Sequence, residues 1–160
     1  FPLISDLIEN TRGCNWFLVF DINSAFWAIP IREKDRYKTG FVTTQAHYKW
    51  KSLPFGILSA PSIFQRILSN IIRRNGLSKF SVNYIDNILI FSKNFNDHVK
   101  HIRLLLDAIQ KEGFRLKFLK CSFATNSVKY LGHVIKKKKK KKTNIINLQI
   151  KIQIIKKTIL

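Results

Sequence analysis

The 160 residues include no methionine, two cysteines, six glycines, four prolines and only nine acids, against 29 Lys and Arg. Two cysteines, Cys14 and Cys121, are too few for a disulfide framework or a zinc site, so both read as small apolar residues, buried or half-buried. No 18-residue apolar span and no signal peptide is present, which argues against membrane insertion and secretion. The expected location is therefore intracellular, in a cytoplasmic particle or the nucleus. With no methionine the chain has no initiator, and it is expected to open within a domain rather than at its start.

What is present is enough for one domain with a real core: 46% of residues are hydrophobic and 13 are Phe. The positive charge divides unevenly. Up to Ile135 there are 19 Lys and Arg against nine acids, a net +10, and residues 136–160 add ten lysines and no acid. A globular part this basic suggests a polyanionic partner, with nucleic acid the obvious one; the plain alternative is a solvated basic surface. Seven consecutive lysines, Lys136–Lys142, lead into a stretch built almost only of Ile, Asn, Gln, Lys, Leu and Thr. We expect residues 136–160 to lie outside the fold, as a lysine-rich low-complexity tail of the kind an adenine tract encodes after a frameshift. The alternative is a disordered basic arm that attracts phosphates.

Two of the scarce acids stand in matching settings. Trp16-Phe17-Leu18-Val19-Phe20 is a continuous apolar run, read as a strand buried on both faces, and it ends at Asp21. Phe80-Ser81-Val82 and Ile88-Leu89-Ile90-Phe91 flank a polar turn, Tyr84-Ile85-Asp86-Asn87, read as a hairpin with an acid at its tip. Each acid has an ordinary explanation, Asp21 as a helix N-cap and Asp86-Asn87 as a turn pair that tolerates left-handed backbone. Together, at the tips of strands far apart in sequence, they could meet if the strands are sheet neighbours. That would make a carboxylate site for Mg²⁺, a hard cation that prefers oxygen ligands.

A series of motifs in order from Phe1 to about Ile135 resembles the reverse transcriptase domain of gypsy-type LTR retrotransposons, relatives of retroviral Pol. Phe1-Pro2-Leu3-Ile4 with Asp6-Leu7-Ile8 resembles the opening helix. Phe20-Asp21-Ile22-Asn23-Ser24-Ala25-Phe26 resembles the first catalytic motif, and Asp35-Arg36-Tyr37-Lys38-Thr39-Gly40-Phe41 a D-R-x-K-T-A-F segment. Leu53-Pro54-Phe55-Gly56-Ile57-Leu58-Ser59-Ala60-Pro61-Ser62-Ile63-Phe64-Gln65 resembles L-P-F-G-L-x-N-A-P-x-x-F-Q. Tyr84-Ile85-Asp86-Asn87-Ile88-Leu89-Ile90-Phe91-Ser92 stands where the family has Y-x-D-D-I-L-I-F-S, and Lys120-Cys121 and Tyr130-Leu131-Gly132-His133-Val134-Ile135 complete the series.

The resemblance implies a partial domain over 1–135, fingers remnant and palm, that polymerises DNA on RNA. Asp21 and Asp86 would hold two Mg²⁺ ions, with the Ile22 backbone beside the triphosphate. Phe26 would be an aromatic gate against a ribose 2′-hydroxyl, although plain core packing is the other reading. Phe55 and Gly56 would line the incoming nucleotide. Leu131, Gly132 and His133 would form the primer grip, and Lys117 or Lys120 would approach the pyrophosphate, although a solvated strand lysine is the other reading. Arg66 and Arg73 on the helix after Ser59 are candidates to face nucleic-acid phosphates. Implied partners are an RNA or DNA template with primer, deoxynucleoside triphosphates, and the RNase H, integrase and protease domains of Pol. The second tip acid of the family is Asn87 here, a neutral amide in place of a carboxylate, so the palm shape is expected with its chemistry badly weakened.

The element pattern agrees with an α+β palm, an antiparallel sheet with helices packed on one face and the acids on the other. We expect strands over 15–21, 28–31, 37–43 and 47–52, then a helix over 59–74 with Ser59 as N-cap and Pro61 in its first turn. A hairpin follows over 80–92. A second helix over 96–112, with Val99, Ile102, Leu105, Leu106 and Ile109 on one face, ends at Gly113. Short strands follow near 114–118, 121–124, 127–131 and 133–135. His98 and His101, three apart on that helix, are expected at exposed positions.

Overall fold

The computed structural model describes residues 1–116, 125 and 127–136. In chain order the elements are α1 (Ile4–Glu9), β1 (Trp16–Asn23), β2 (Phe41–Val42), β3 (His47–Tyr48), α2 (Ala60–Arg74), β4 (Ser81–Tyr84), β5 (Asn87–Ser92), α3 (Phe95–Lys111), β6 (Arg115–Leu116), β7 (Ser127–Tyr130) and β8 (His133–Lys136). Four of these strands form an antiparallel sheet in the order β4-β5-β1-β6, and β2-β3 and β7-β8 are separate hairpins.

β1 from Trp16 to Phe20 and β5 from Ile88 to Phe91 are continuously apolar because both faces of the sheet are covered there. Side chains alternate along a strand, so Leu18, Phe20 and Ile22 of β1 and Ile88 and Ile90 of β5 share one face. They pack with Phe64, Leu68 and Ile71 of α2 and Ile102, Leu105 and Ile109 of α3. Phe17, Leu89 and Phe91 point to the other face and meet Leu7 of α1 with Val128, Tyr130 and Ile135 of the β7-β8 hairpin. The two long helices thus lie on one side, as expected, while the short α1 lies with the β7-β8 hairpin on the other.

α2 presents Phe64, Leu68 and Ile71 at helical spacing, and each such side chain adds about 1.5–3 kcal/mol on burial. Ser59 occupies its N-cap position, yet the hydroxyl makes no capping bond, because the residue is itself in helical conformation. α3 has a working cap instead: the Asn94 side chain accepts from the Asp97 amide at 2.9 Å. Gly113 stops α3 at φ 77, a conformation that favours glycine.

Several expectations need correction. In the segment expected as a strand over 37–43, residues 37–39 end a 3₁₀ helix, Glu33–Thr39, and only Phe41–Val42 forms a strand. Its turns are held by Arg36 Nε donating to the Ile31 carbonyl at 3.1 Å and by Thr39 Oγ1 donating to the Arg36 carbonyl at 2.7 Å. The strands expected over 28–31 and 47–52 reduce to a Pro30–Ser52 bridge and the two residues of β3. β1 continues two residues past Asp21, because Ile22 and Asn23 pair with Leu116 and Arg115 of β6. The strand expected over 121–124, which holds Cys121, lies outside the described residues, and so do Lys117 and Lys120. So does the tail beyond Lys136, while Lys136 itself closes β8 opposite Ser127.

The histidines are the clearest reversal. His98 is fully buried and His101 half-buried. His98 falls on the same stripe as Ile102, Leu105 and Ile109, so the helical period carries it inward. Both imidazoles meet one hydroxyl, with Ser92 Oγ 2.9 Å from His98 Nδ1 and 2.8 Å from His101 Nδ1. His101 also stacks on Phe80 at 3.8 Å. Burial, with His101 as a lesser cause, lowers the His98 pKa to about 4. His101 is lowered too, by burial first and by Lys100, against a raising effect of Asp97.

Candidate active site

Asp21 sits directly across from Asn87 in the antiparallel register of β1 and β5. Opposed Cβ atoms in such a pair lie about 4.5–5.5 Å apart on the same face. Asp86 immediately precedes Asn87, and its carbonyl accepts the Ile22 amide at 3.1 Å. Two acids 65 positions apart in sequence are thereby tied to one end of the sheet, and the alternation of β1 sets Asp21 on the face opposite α2 and α3. Asp21, Asp86 and Asn87 are all half-buried.

The turn that carries Asp86 is strained and braced. Ile85 has φ 52, a left-handed conformation that a β-branched residue adopts only under constraint, at a cost of about 1–3 kcal/mol. The constraint comes from Gln65 of α2, whose Oε1 accepts the Ile85 amide at 2.5 Å. Gln65 Nε2 in turn donates to Ser69 Oγ at 3.1 Å and to the Asn83 carbonyl at 3.3 Å. Ser69 Oγ donates to Asn83 Oδ1 at 3.0 Å. A buried helix residue thus sets the backbone of the acid-bearing turn from the opposite side of the sheet. Sequence reasoning passed over this role of Gln65, although a polar residue beside Phe64 and Leu68 on a buried stripe was a usable signal. Gln65→Leu keeps the volume and leaves the Ile85 amide without its acceptor, so chemical denaturation should show a loss of about 1–3 kcal/mol. A loss under about 0.5 kcal/mol would remove Gln65 from the bracing role.

Asn87 differs from a carboxylate in direction as well as charge. Its Nδ2 donates to Asp86 Oδ1 at 3.1 Å. The tip of the β7-β8 hairpin, Leu131-Gly132, lies on the same side of the sheet as these groups, with Leu131 at φ 49 and Gly132 at φ 80. The buried Tyr130 before the tip donates its hydroxyl to the Asn87 carbonyl at 3.4 Å, and burial raises its pKa. His133 is exposed at the start of β8.

Phe26 follows β1 with its ring half-buried, edge-on to core Phe64 at 5.9 Å and to Phe55 at 5.6 Å. Phe55 is two-thirds exposed, and Gly56 beside it has φ 91. From Phe55 a run of exposed rings continues through Trp27, Trp50, Phe41 and Tyr48, each within 6 Å of the next. Arg66 and Arg73 project from α2, on the helix side of the sheet, and are not brought together with the acids.

Residues 2–135 match the family model described as reverse transcriptase (RNA-dependent DNA polymerase). The chain belongs to the reverse transcriptase family. It is similar to the enzymatic polyprotein of Figwort mosaic virus (strain DxS), at 35% identity over 136 residues, which cover 85% of this chain and 20% of that protein. It is equally similar to the retrovirus-related Pol polyprotein from transposon gypsy of Drosophila melanogaster, at 35% identity over 136 residues, 85% of this chain and 13% of that one. A foamy viral protease-reverse transcriptase solved in complex with RNA/DNA hybrid superposes with a TM-score of 0.76 at 19% identity, covering 93% of this chain and 20% of that chain. The fold is therefore that of a reverse transcriptase palm, and the chain spans a fifth or less of each of these three relatives.

For a reverse transcriptase the donor set is poor in charge. Two carboxylates, the Ile22 backbone and one amide suit a divalent cation by their oxygen chemistry. Among the described residues, though, no three His, Cys, Asp or Glu side chains gather to hold a metal. Asn87, facing Asp21, stands where a third acid would complete the set. Among the described residues no helix is long and apolar enough to cross a membrane.

Proposed function

We propose that this chain carries the nucleotidyl-transfer site of an RNA-directed DNA polymerase, weakened by Asn87. The observation that carries the reading is the register that sets Asp21 opposite Asn87, with Asp86 hydrogen-bonded through its carbonyl to Ile22. A divalent cation, Mg²⁺ in two copies by family resemblance, supplies activation of a primer 3′-hydroxyl and neutralisation of the leaving pyrophosphate when bound. Asp21 and Asp86 are its ligands, with the Ile22 backbone beside the triphosphate.

Other residues take roles consistent with their placement. Phe26 rests on the core and presents its ring beside Phe55, where a ribose 2′-hydroxyl would meet it. Phe55 and Gly56 line the incoming deoxynucleoside triphosphate. Leu131, Gly132 and His133 steady the primer end above the sheet, where Gly132 lets a backbone approach closely. Arg66 and Arg73 would meet only a strand that passes along α2. The run of exposed rings from Phe55 to Tyr48 suits stacking of unpaired bases, and the net +10 up to Ile135 suits phosphates. Protease, RNase H and integrase activities would belong to the rest of a Pol polyprotein. The residues after Lys136 are read as a low-complexity tail outside the domain.

The second reading, a silent palm that binds nucleic acid without chemistry, is favoured by one observation, the amide of Asn87. Primer extension on poly(rA)–oligo(dT) with Mg²⁺ separates the two. Incorporation that Asp21→Asn abolishes supports the polymerase. Hybrid binding with no Asp21-dependent incorporation supports the silent domain, and neither binding nor incorporation overturns both.

A further inference from the structure

β1 has a second neighbour at the acid-bearing end of the sheet. β5 lies on one side, and on the other β6 sets Leu116 opposite Ile22 and Arg115 opposite Asn23. Opposed residues of an antiparallel pair share a face. Ile22 lies in the core with α2 and α3, and Phe114 and Leu116 pack against the same cluster. Alternation therefore turns Arg115, between them, to the other face, the one that holds Asn23 and Asp21. Asp21 is its diagonal neighbour across the pair, and such neighbours lie about 7–8 Å apart, within reach of a long side chain. Arg115 is exposed, and among the described residues it forms no ion pair with Asp21 or any other acid.

This end of the sheet thus sets acids on β1 and in the β4-β5 turn, and an unpaired guanidinium on β6. A triphosphate beside the Ile22 backbone has β6 next to it, because Ile22 pairs with Leu116. Two divalent cations do not neutralise two carboxylates and a triphosphate together, so negative charge remains on the phosphates. The guanidinium offers a planar fork of N–H donors that matches phosphate oxygens, and it is always charged. We propose that Arg115 grips the β- and γ-phosphates of the incoming deoxynucleoside triphosphate from the β6 side of the site. The inference rests on the reading of Asp21 and Asp86 as a nucleotidyl-transfer site. A phosphate of the template or primer backbone is the competing anion, and the nearness of Arg115 to Asp21 favours the triphosphate.

The experiment is titration of the full 160-residue chain with dTTP in Mg²⁺, followed by phosphorus NMR, with binding of an RNA/DNA hybrid measured alongside. Arg115→Ala should weaken dTTP by about tenfold or more, the size expected for losing a hydrogen bond to a charged group. It should leave dTMP, which lacks the β- and γ-phosphates, unchanged. Arg115→Lys should recover part of the loss, since it keeps the charge without the fork. Arg103→Ala removes an exposed guanidinium from α3, on the opposite face, and should change dTTP binding little. Because Arg115 is exposed, thermal melts of its variants should match the native chain, so that a loss reports binding and not folding. Equal dTTP binding by Arg115→Ala and the native chain overturns the grip. So does an equal loss for dTTP and dTMP, and so does a loss confined to the hybrid, which would assign Arg115 to the nucleic-acid backbone. If Asp21→Asn weakens dTTP and Arg115→Ala does not, the acid site stands without this residue. If dTTP does not bind, or binds with no need of Asp21, the site reading falls and the grip with it.

Discussion

Asn87→Asp should raise primer extension on poly(rA)–oligo(dT) with Mg²⁺ by a factor of several hundred. At about 4 Å and an effective dielectric near 20, one pair of unit charges is worth roughly 4 kcal/mol, so a divalent ion could gain up to about twice that from a restored carboxylate. Water ligands already recover part of it, since Mg²⁺ keeps several. If about 3–4 kcal/mol survives in the transition state, the rate rises by several hundred. The position is prepared for the change, because Asn87 is half-buried at the start of β5 and faces Asp21 across the register. Placing a third acid there has a cost without metal, since like charges directly opposite one another repel. Thermal melts of Asn87→Asp should therefore fall below the native chain in chelator and recover with Mg²⁺. A chain that binds hybrid yet gains no activity from Asn87→Asp would show that something other than this amide limits it.

Acid should destabilise this protein through His98. Its pKa is lowered from 6.5 in the unfolded chain to about 4 in the folded one, by burial first and by His101 second. The folded state holds the imidazole neutral, and the unfolded state takes up a proton as soon as the pH falls below 6.5. Stability is thus unaffected by this group above pH 6.5, falls between 6.5 and 4, and levels off below 4. The full difference amounts to about 3 kcal/mol, a large share of the 5–15 kcal/mol that holds a typical domain. The bonding pattern explains the penalty. Ser92 has one proton for two imidazole nitrogens, so one ring must carry its hydrogen on Nδ1 and the other must accept there. Protonating both rings removes the acceptor, and His98 Nε2, buried without a partner, has nothing to share the charge. Urea denaturation at pH 7 and pH 4 should show His98→Asn losing most of the acid-labile stability relative to the native chain. Equal pH dependence in the two proteins would assign the acid lability to other groups.

What could be read along the chain was what depends on local period and local chemistry. The apolar run at 16–20, the stripes of α2 and α3, the turn at 84–87 and the order of the family motifs are all patterns within a few residues of each other. They carried the palm, the hairpin and the two acids, because a buried strand and an amphipathic helix each demand a recognisable spacing. The same period held the inward position of His98, which a preference for exposed polar residues overrode.

Tertiary structure alone decided what faces what. A strand's alternation divides its residues into two sets, but only pairing with β5 put Asp21 opposite Asn87 and turned both away from α2. Gln65, in a motif quoted for its neighbours, acquired its role because the turn with Ile85 came to lie over it. Arg66 and Arg73 are as basic as any nucleic-acid contact, yet the packing of α2 directs them from the helix side. The segments 28–31, 37–43 and 47–52 read as strands and folded largely as a 3₁₀ turn and short extended pieces, since among the described residues β2 and β3 pair only with each other. Residue chemistry is local and was legible from the start. The free energy that selects a register or a face comes from contacts between segments tens of residues apart, and no window of sequence contains them.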